Sequence, residues 1–332
     1  MKKPLLLSSL VGLIAGFGLA LPANPIRFQT PLAAINDPVQ TIPEPDTPTQ
    51  TTVELLNAGA EPRRPIQFSI PANLKQTTIL TMSTDMAISL DGRVMPRIKL
   101  PVVAMTLDVE GAPIEESGDT AVEFVYSAVD FVVDEATSPI ILGMLRSQLE
   151  SLVGFGGSYV ISNQGVLLES QLDLGGNLNS SIEPLIQQML NAFIQSSTLP
   201  LPEAALGPGA QWRAANREIA TGIIPIQGVQ TYELVDFQEN TVTLNFVTDF
   251  QSTPQTGEDI LPEMLSELAN MSVKSLNVQG DGSLTLALDQ VMPIHSTLSI
   301  VSDGLYGVVM PDDREEVPMT IQSQMDLKIE SQ

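Results

Sequence analysis

Any catalysis by this chain would have to run on carboxylates and hydroxyls, because its 332 residues include one histidine, His295, and no cysteine. A single histidine excludes multi-histidine zinc and iron sites. The absence of cysteine excludes thiolate nucleophiles, disulfides and every cysteine-based metal centre. His295 stands between Ile294 and Ser296 in an alternating run, with Pro293 and Thr297 at two-residue spacing, so the period-two pattern points it outward. As a triad base it would need a nucleophile. The chain has no Gly-x-Ser-x-Gly elbow, and neither Ser296 nor Ser299 has the surroundings of one. No phosphate-binding Gly-x-x-x-x-Gly-Lys and no strand-linked Gly-x-Gly-x-x-Gly is present. Gly154-Phe155-Gly156-Gly157 reads as the end of a helix before a strand.

Carboxylates are abundant: 39 acidic residues against 15 basic ones give a formal charge of −24. That charge repels phosphate backbones and anionic membrane surfaces, so nucleic acid is not an expected partner. Glycoside hydrolysis needs only two well-placed carboxyl groups, and counting alone does not exclude it. Glu115-Glu116 and Asp312-Asp313-Arg314-Glu315-Glu316 sit among Pro and Gly and read as solvated loop charge. The second run also lacks the spaced pattern of a calcium loop. One Trp and four Tyr leave few surfaces on which a sugar could stack. The sequence therefore assigns no catalytic residue, no metal ligand and no cofactor, and the expectation is a protein that is not an enzyme. A hydrolase using a carboxylate pair is the most distant alternative.

The elements are written in the alternation. Leu80, Met82, Met86, Ile88 and Leu90 share one face of a long strand, and Thr81, Ser83, Asp85 and Ser89 share the other. The same period recurs in 103–109, 122–133, 166–174, 242–250, 294–300 and 319–329. Asp91-Gly92, Ser117-Gly118-Asp119, Asn163-Gln164-Gly165, Glu239-Asn240, Gly280-Asp281-Gly282 and Asp303-Gly304 supply turn chemistry, predicting an antiparallel meander with one wet face. Helical spacing marks 181–194, where Ile182, Leu185, Ile186, Met189, Leu190 and Phe193 follow the i, i+3, i+4 rule. A second helix is predicted from Ser138-Pro139 through Leu152, and a weaker third over 261–270. Trp212, opening a strand after Gly207-Pro208-Gly209, is expected to anchor the core.

Lys2 and Lys3 precede an uncharged apolar stretch from Leu5 to Leu21, the pattern of a secretory signal over 1–22. An uncleaved N-terminal membrane anchor is the alternative. Without cysteine no lipoprotein anchor can follow. Residues 23–52, rich in Pro and Thr, read as a disordered linker. Residues 53–332 then form a single β-rich domain, with a degenerate duplication (53–195 and 210–332) as a further expectation. The expected location is periplasmic or extracellular.

Asn57-Ala58-Gly59-Ala60-Glu61-Pro62-Arg63-Arg64-Pro65 before the long strand, and Leu201-Pro202-Glu203 followed by Gly207-Pro208-Gly209-Ala210-Gln211-Trp212, resemble segments of secreted proteins of unassigned function from cyanobacteria and some other bacteria. The order of strands and helices is similar to that of periplasmic lipoprotein carriers, which hold acyl chains between a half-barrel and apolar helices. This resemblance implies a mainly β (α+β) fold: a large, strongly curved antiparallel sheet or incomplete β-barrel of about 11–12 strands, with two or three amphipathic helices against its concave face. Thirteen Met in an aliphatic core suit an adaptable pocket for a lipid or acyl chain. The candidate ligand-binding residues are Leu80, Met82 and Met86 on the strand face with Ile186, Met189 and Phe193 on the helix. The leading expectation is an exported envelope protein that binds or carries a hydrophobic ligand. The alternative is a structural or protein-interaction module that meets an envelope protein partner.

Overall fold

The computed structural model of the chain describes residues 51–133, 137–150, 152–173, 194, 198–221, 224–252, 254–256, 271–309 and 315–332. The first half contributes β1 (Thr52–Asn57), β2 (Leu74–Leu90), β3 (Arg93–Val94), β4 (Ile98–Lys99), β5 (Val102–Pro113) and β6 (Thr120–Val132). Helix α1 (Pro139–Glu150), β7 (Gly156–Ile161) and β8 (Leu167–Asp173) complete it. The second half contributes β9 (Gln211–Thr221), β10 (Ile224–Gln238), β11 (Thr241–Gln251), β12 (Gln255–Thr256), β13 (Met271–Ala287), β14 (His295–Val309) and β15 (Glu316–Ser331).

All of these strands join one antiparallel sheet in the order β1-β9-β10-β11-β13-β14-β15-β2-β5-β6-β7-β8, with β3 and β4 flanking β2 and β12 flanking β13. Twelve strands form the main path and three short ones lie beside it; the seven alternating runs of the sequence fall in β2, β5, β6, β8, β11, β14 and β15. The strands from β2 to β8 form one meander and those from β9 to β15 another, and two links between the halves are non-local: β1 pairs with β9, and β15 pairs with β2 from Met319↔Leu90 to Ser331↔Thr78. The two halves therefore share one continuous sheet. Its end strands, β1 and β8, do not pair with each other. The result is an open sheet that is not strongly curled, rather than the strongly curved or nearly closed barrel expected. Long antiparallel ladders satisfy the backbone without closure, which leaves only the two edges unpaired.

Alternation decides which face is dry. In β2 the buried residues are Gln76, Thr78, Leu80, Thr84, Met86 and Ile88, all even-numbered. The buried face carries two apolar clusters. The larger unites Leu107, Val122 and Phe124 with Trp212, Leu234 and Leu244, together with Ile66 and Phe68 from the segment before β2. The smaller unites Met86, Ile88, Phe250, Val278, Met319 and Met325. Helix α1 bridges them: Leu145 packs in the smaller cluster, and Leu149 and Leu152, just beyond the helix end, pack in the larger. The predicted helices over 181–194, apart from Ile194, and over 261–270 lie outside the described residues, as do the leader and nearly all of the linker.

Two predicted turns are strand interior. Gly280-Asp281-Gly282 lies inside β13 and Asp303-Gly304 inside β14. Gly282 and Gly304 make room for aromatic rings rather than reversals. A Cβ on Gly282 would collide with the Thr297 carbonyl and come within 2.6 Å of the Phe246 ring directly opposite, and the Tyr306 ring folds back over Gly304. The other turn predictions hold. Asp91 and Gly92 adopt φ of 51° and 73° after β2, Gly118 and Gly165 lie at 77° and 72°, and Glu239 at 48°.

Candidate functional site

Leu80, Met82 and Met86 do share the buried face of β2, but the structure divides them. Leu80 belongs to the larger cluster and Met86 to the smaller, and the half-buried Met82 packs against the smaller. Ile186, Met189 and Phe193 lie outside the described residues. Trp212 is the expected anchor: fully buried, it stacks on Tyr232 at 5.4 Å and donates its indole N–H to the Pro200 carbonyl at 2.8 Å. His295 faces solvent, its Nδ1 4.0 Å from Glu330 Oε1. Glu115 and Glu116 are exposed in the loop after β5. Of the second acidic run only Glu315 and Glu316 are described. Glu316 accepts hydrogen bonds from Lys274 and from Ser272, which hold its carboxyl below the usual range.

Where the smaller cluster meets the larger, two rows mix buried polar residues with five apolar members of the smaller cluster, a polar belt that alternation alone does not disclose. One cross-strand row holds Gln230, Thr248, Gly280, Ile300, Met325 and Thr84. The next holds Arg217, Gly228, Phe250, Val278, Ser302 and Ser323, and ends on Met86. Arg217, Gln230, Thr248, Ser302, Ser323 and Thr84 are all buried. Three of the six, Ser302, Ser323 and Thr248, bond within the belt. The hydroxyls of Ser302 and Ser323 are 2.7 Å apart, and Thr248 donates to the Gly280 carbonyl at 3.4 Å.

Arg217 is the charged member of the belt. It is 1% exposed, which for a guanidinium demands strong compensation: a buried charge left unpaired costs about 3–5 kcal/mol. Its Nη2 donates to the Thr198 carbonyl at 3.1 Å, the Tyr232 hydroxyl lies beside it, and its Nε has no hydrogen-bond partner. Tyr232 in turn donates to Gln230 Oε1 at 2.8 Å. Burial lowers the Arg217 pKa, opposed by Tyr232. Burial likewise raises that of Tyr232, opposed by the guanidinium. No carboxylate among the described residues pairs with Arg217.

Sequence periodicity misses this residue for a local reason. Counted from Trp212 and Ala214, an odd-numbered residue of β9 should point outward, as Arg213 does in its ion pair with Glu54. A bulge intervenes. Ala214 pairs with Gln230 and Arg217 with Gly228, so two residues of β9 face one of β10, and Asn216 takes a φ of 57°. The extra residue reverses the parity and turns Arg217 inward. An Asn within an alternating run was the available signal.

The opposite face of the sheet carries a cleft of about 970 Å³. Its floor is two adjacent rows across six strands: Glu233, Asn245, Ser283, Thr297, Lys328 and Thr81, then Thr231, Val247, Asp281, Ser299, Asp326 and Ser83. Five strand spacings make it roughly 24 Å long. Hydroxyls dominate, three carboxylates outweigh one ammonium, and Ser299 donates to Asp326 at 2.8 Å. None of the candidate apolar residues lines it. Among the described residues no group of three or more His, Asp or Glu gathers to hold a metal ion, and no helix is long and apolar enough to cross a membrane.

No protein-family model matches the chain, and no curated protein matches it in sequence.

Proposed function

We propose that the protein is a non-enzymatic, exported protein of the cell envelope that binds or carries a hydrophobic molecule on the buried face of its sheet. The observation that carries this reading is the composition of the smaller cluster. Five of the thirteen methionines gather there, Met86, Met319 and Met325 buried and Met82 and Met271 half-buried. Unbranched thioethers change rotamer at little cost, so such a wall adapts to an acyl chain where branched aliphatics would fix one shape. Helix α1, which touches both clusters, would cover part of the chain. The charged leader and the Pro/Thr-rich segment support delivery to the periplasm or beyond.

Native mass spectrometry of protein purified from the producing cell, with extraction of bound lipid, tests the reading. A co-purified lipid or acyl compound is the expected result. No co-purified lipid, together with no binding of fluorescent fatty acids, overturns it.

The outer cleft favours a second reading, a protein-interaction module whose hydrogen-bonding trough accepts an extended or cationic partner segment. Under that reading the double variant Asp281→Lys, Asp326→Lys loses a partner that the wild-type protein retains, without loss of stability. Equal retention by both proteins would remove the cleft from consideration.

A further inference from the structure

We infer that Arg217 is the anchor for the head group of an anionic amphiphile, and that a singly charged carboxylate is the group it takes. The inference rests on the hydrophobic-ligand reading and narrows its ligand class. The geometry supports it in three ways. Arg217 sits in the polar belt where the two clusters meet, with Trp212 and Tyr232 of the larger to one side, Phe250 of the smaller in its own row and Ile226 of the smaller to the other side. A molecule held there by its head has an apolar wall for its chain in either direction along the strands. The Nε donor is fully buried and unpartnered, although a guanidinium is a fork of five donors suited to an oxygen pair. The flanking groups are Tyr232 and Gln230, neutral groups that add no charge; the Tyr232 hydroxyl, which donates to Gln230 Oε1 in the free protein, would turn its one proton to the anion.

Charge arithmetic selects the carboxylate. One buried cation neutralises one negative charge. A dianionic phosphate monoester would leave an uncompensated charge in an apolar interior, and an alcohol would leave the guanidinium unpaired. A planar carboxylate matches the guanidinium edge and forms shorter, stronger bonds than a neutral acceptor.

The test compares hexadecanoate with hexadecan-1-ol, which share a chain and differ in the head, using Trp212 emission as the reporter because its ring stacks on Tyr232. Wild-type protein is expected to bind the acid at least tenfold more tightly. Arg217→Met is expected to remove that preference while leaving alcohol binding within about twofold, since the chain contacts persist. The wild-type comparison needs no variant and stands even if Arg217→Met fails to fold. Tyr232→Phe, which keeps the ring and removes the hydroxyl, should weaken acid binding and leave alcohol binding unchanged. Equal affinity of the wild-type protein for acid and alcohol would overturn the head-group assignment and leave the carrier reading standing. Retention of the full preference in Arg217→Met would do the same. Binding of neither probe would overturn the carrier reading itself.

Discussion

Gln76 offers the sharpest test of how the two halves are held together. It lies near the start of β2, 4% exposed, and its side chain bonds to backbone more than 200 residues away. Its Oε1 accepts from the Val291 amide at 2.9 Å and the Met292 amide at 3.1 Å, and its Nε2 donates to the Met292 carbonyl at 3.4 Å. The segment between β13 and β14 is thereby clamped to the strand that joins the halves. Gln76→Met keeps nearly the same volume and apolar stem, so cavity formation contributes little. What changes is that two buried amides lose their acceptor. Each orphaned buried donor costs about 1–3 kcal/mol, so the expected destabilisation is about 2–6 kcal/mol. For a chain of this size that corresponds to a fall of about 5–15 °C in Tm. Denaturant titration followed by the emission of Trp212, the sole tryptophan, measures it directly. Gln322→Met is the control, because Gln322 donates to Asp303 on the exposed face, and a change within about 0.5 kcal/mol is expected there. A Gln76→Met variant within about 0.5 kcal/mol of wild type would refute the clamp.

Three further outcomes follow from the described geometry. All four tyrosines, Tyr126, Tyr159, Tyr232 and Tyr306, have phenols raised by burial, Tyr306 to about 12. Unfolded phenols lose their protons near pH 10 and the folded ones later. Stability is therefore full below about pH 10 and falls as pH rises through the folded values, and tyrosinate absorbance should appear together with the loss of structure rather than before it. Gly282→Ala should destabilise by about 1–3 kcal/mol, because its Cβ meets the Thr297 carbonyl and the Phe246 ring. Gly143→Ala, on the open side of α1, should stabilise by up to about 1 kcal/mol, and equal effects in thermal melts would contradict both assignments. Trp212 should emit at short wavelength and resist acrylamide quenching, and Trp212→Phe should cost about 1–3 kcal/mol through the orphaned Pro200 carbonyl.

The sequence by itself determined β2, β5, β6, β11, β14 and β15 and which face of each would be dry, because alternation is a property of a single strand. In β8 it chose the wrong face: Leu168 is exposed and Leu167 packs on the larger cluster. β2 and β15 bury the residues that their period-two pattern marks. It determined most reversals too, since a positive φ at Gly92, Gly118 or Gly165 is a local demand met by a local residue. It did not distinguish a glycine that turns the chain from one that lies beneath a ring. Gly282 and Gly304 carry the same turn chemistry as Asp91-Gly92, and only the positions of Phe246 and Tyr306 separate the cases. The candidate site was legible in part: Leu80, Met82 and Met86 were placed on the apolar face, but their division between two clusters depends on register with β15. Arg217 was beyond the reach of periodicity, because one bulge at Asn216 reverses the parity of β9, and only that Asn within the run hinted at it. The pairing of β15 with β2, which makes one sheet of two meanders, was decided by tertiary structure alone. Its ladder brings together residues more than 200 positions apart, and no local preference records which distant strand a dry face will meet.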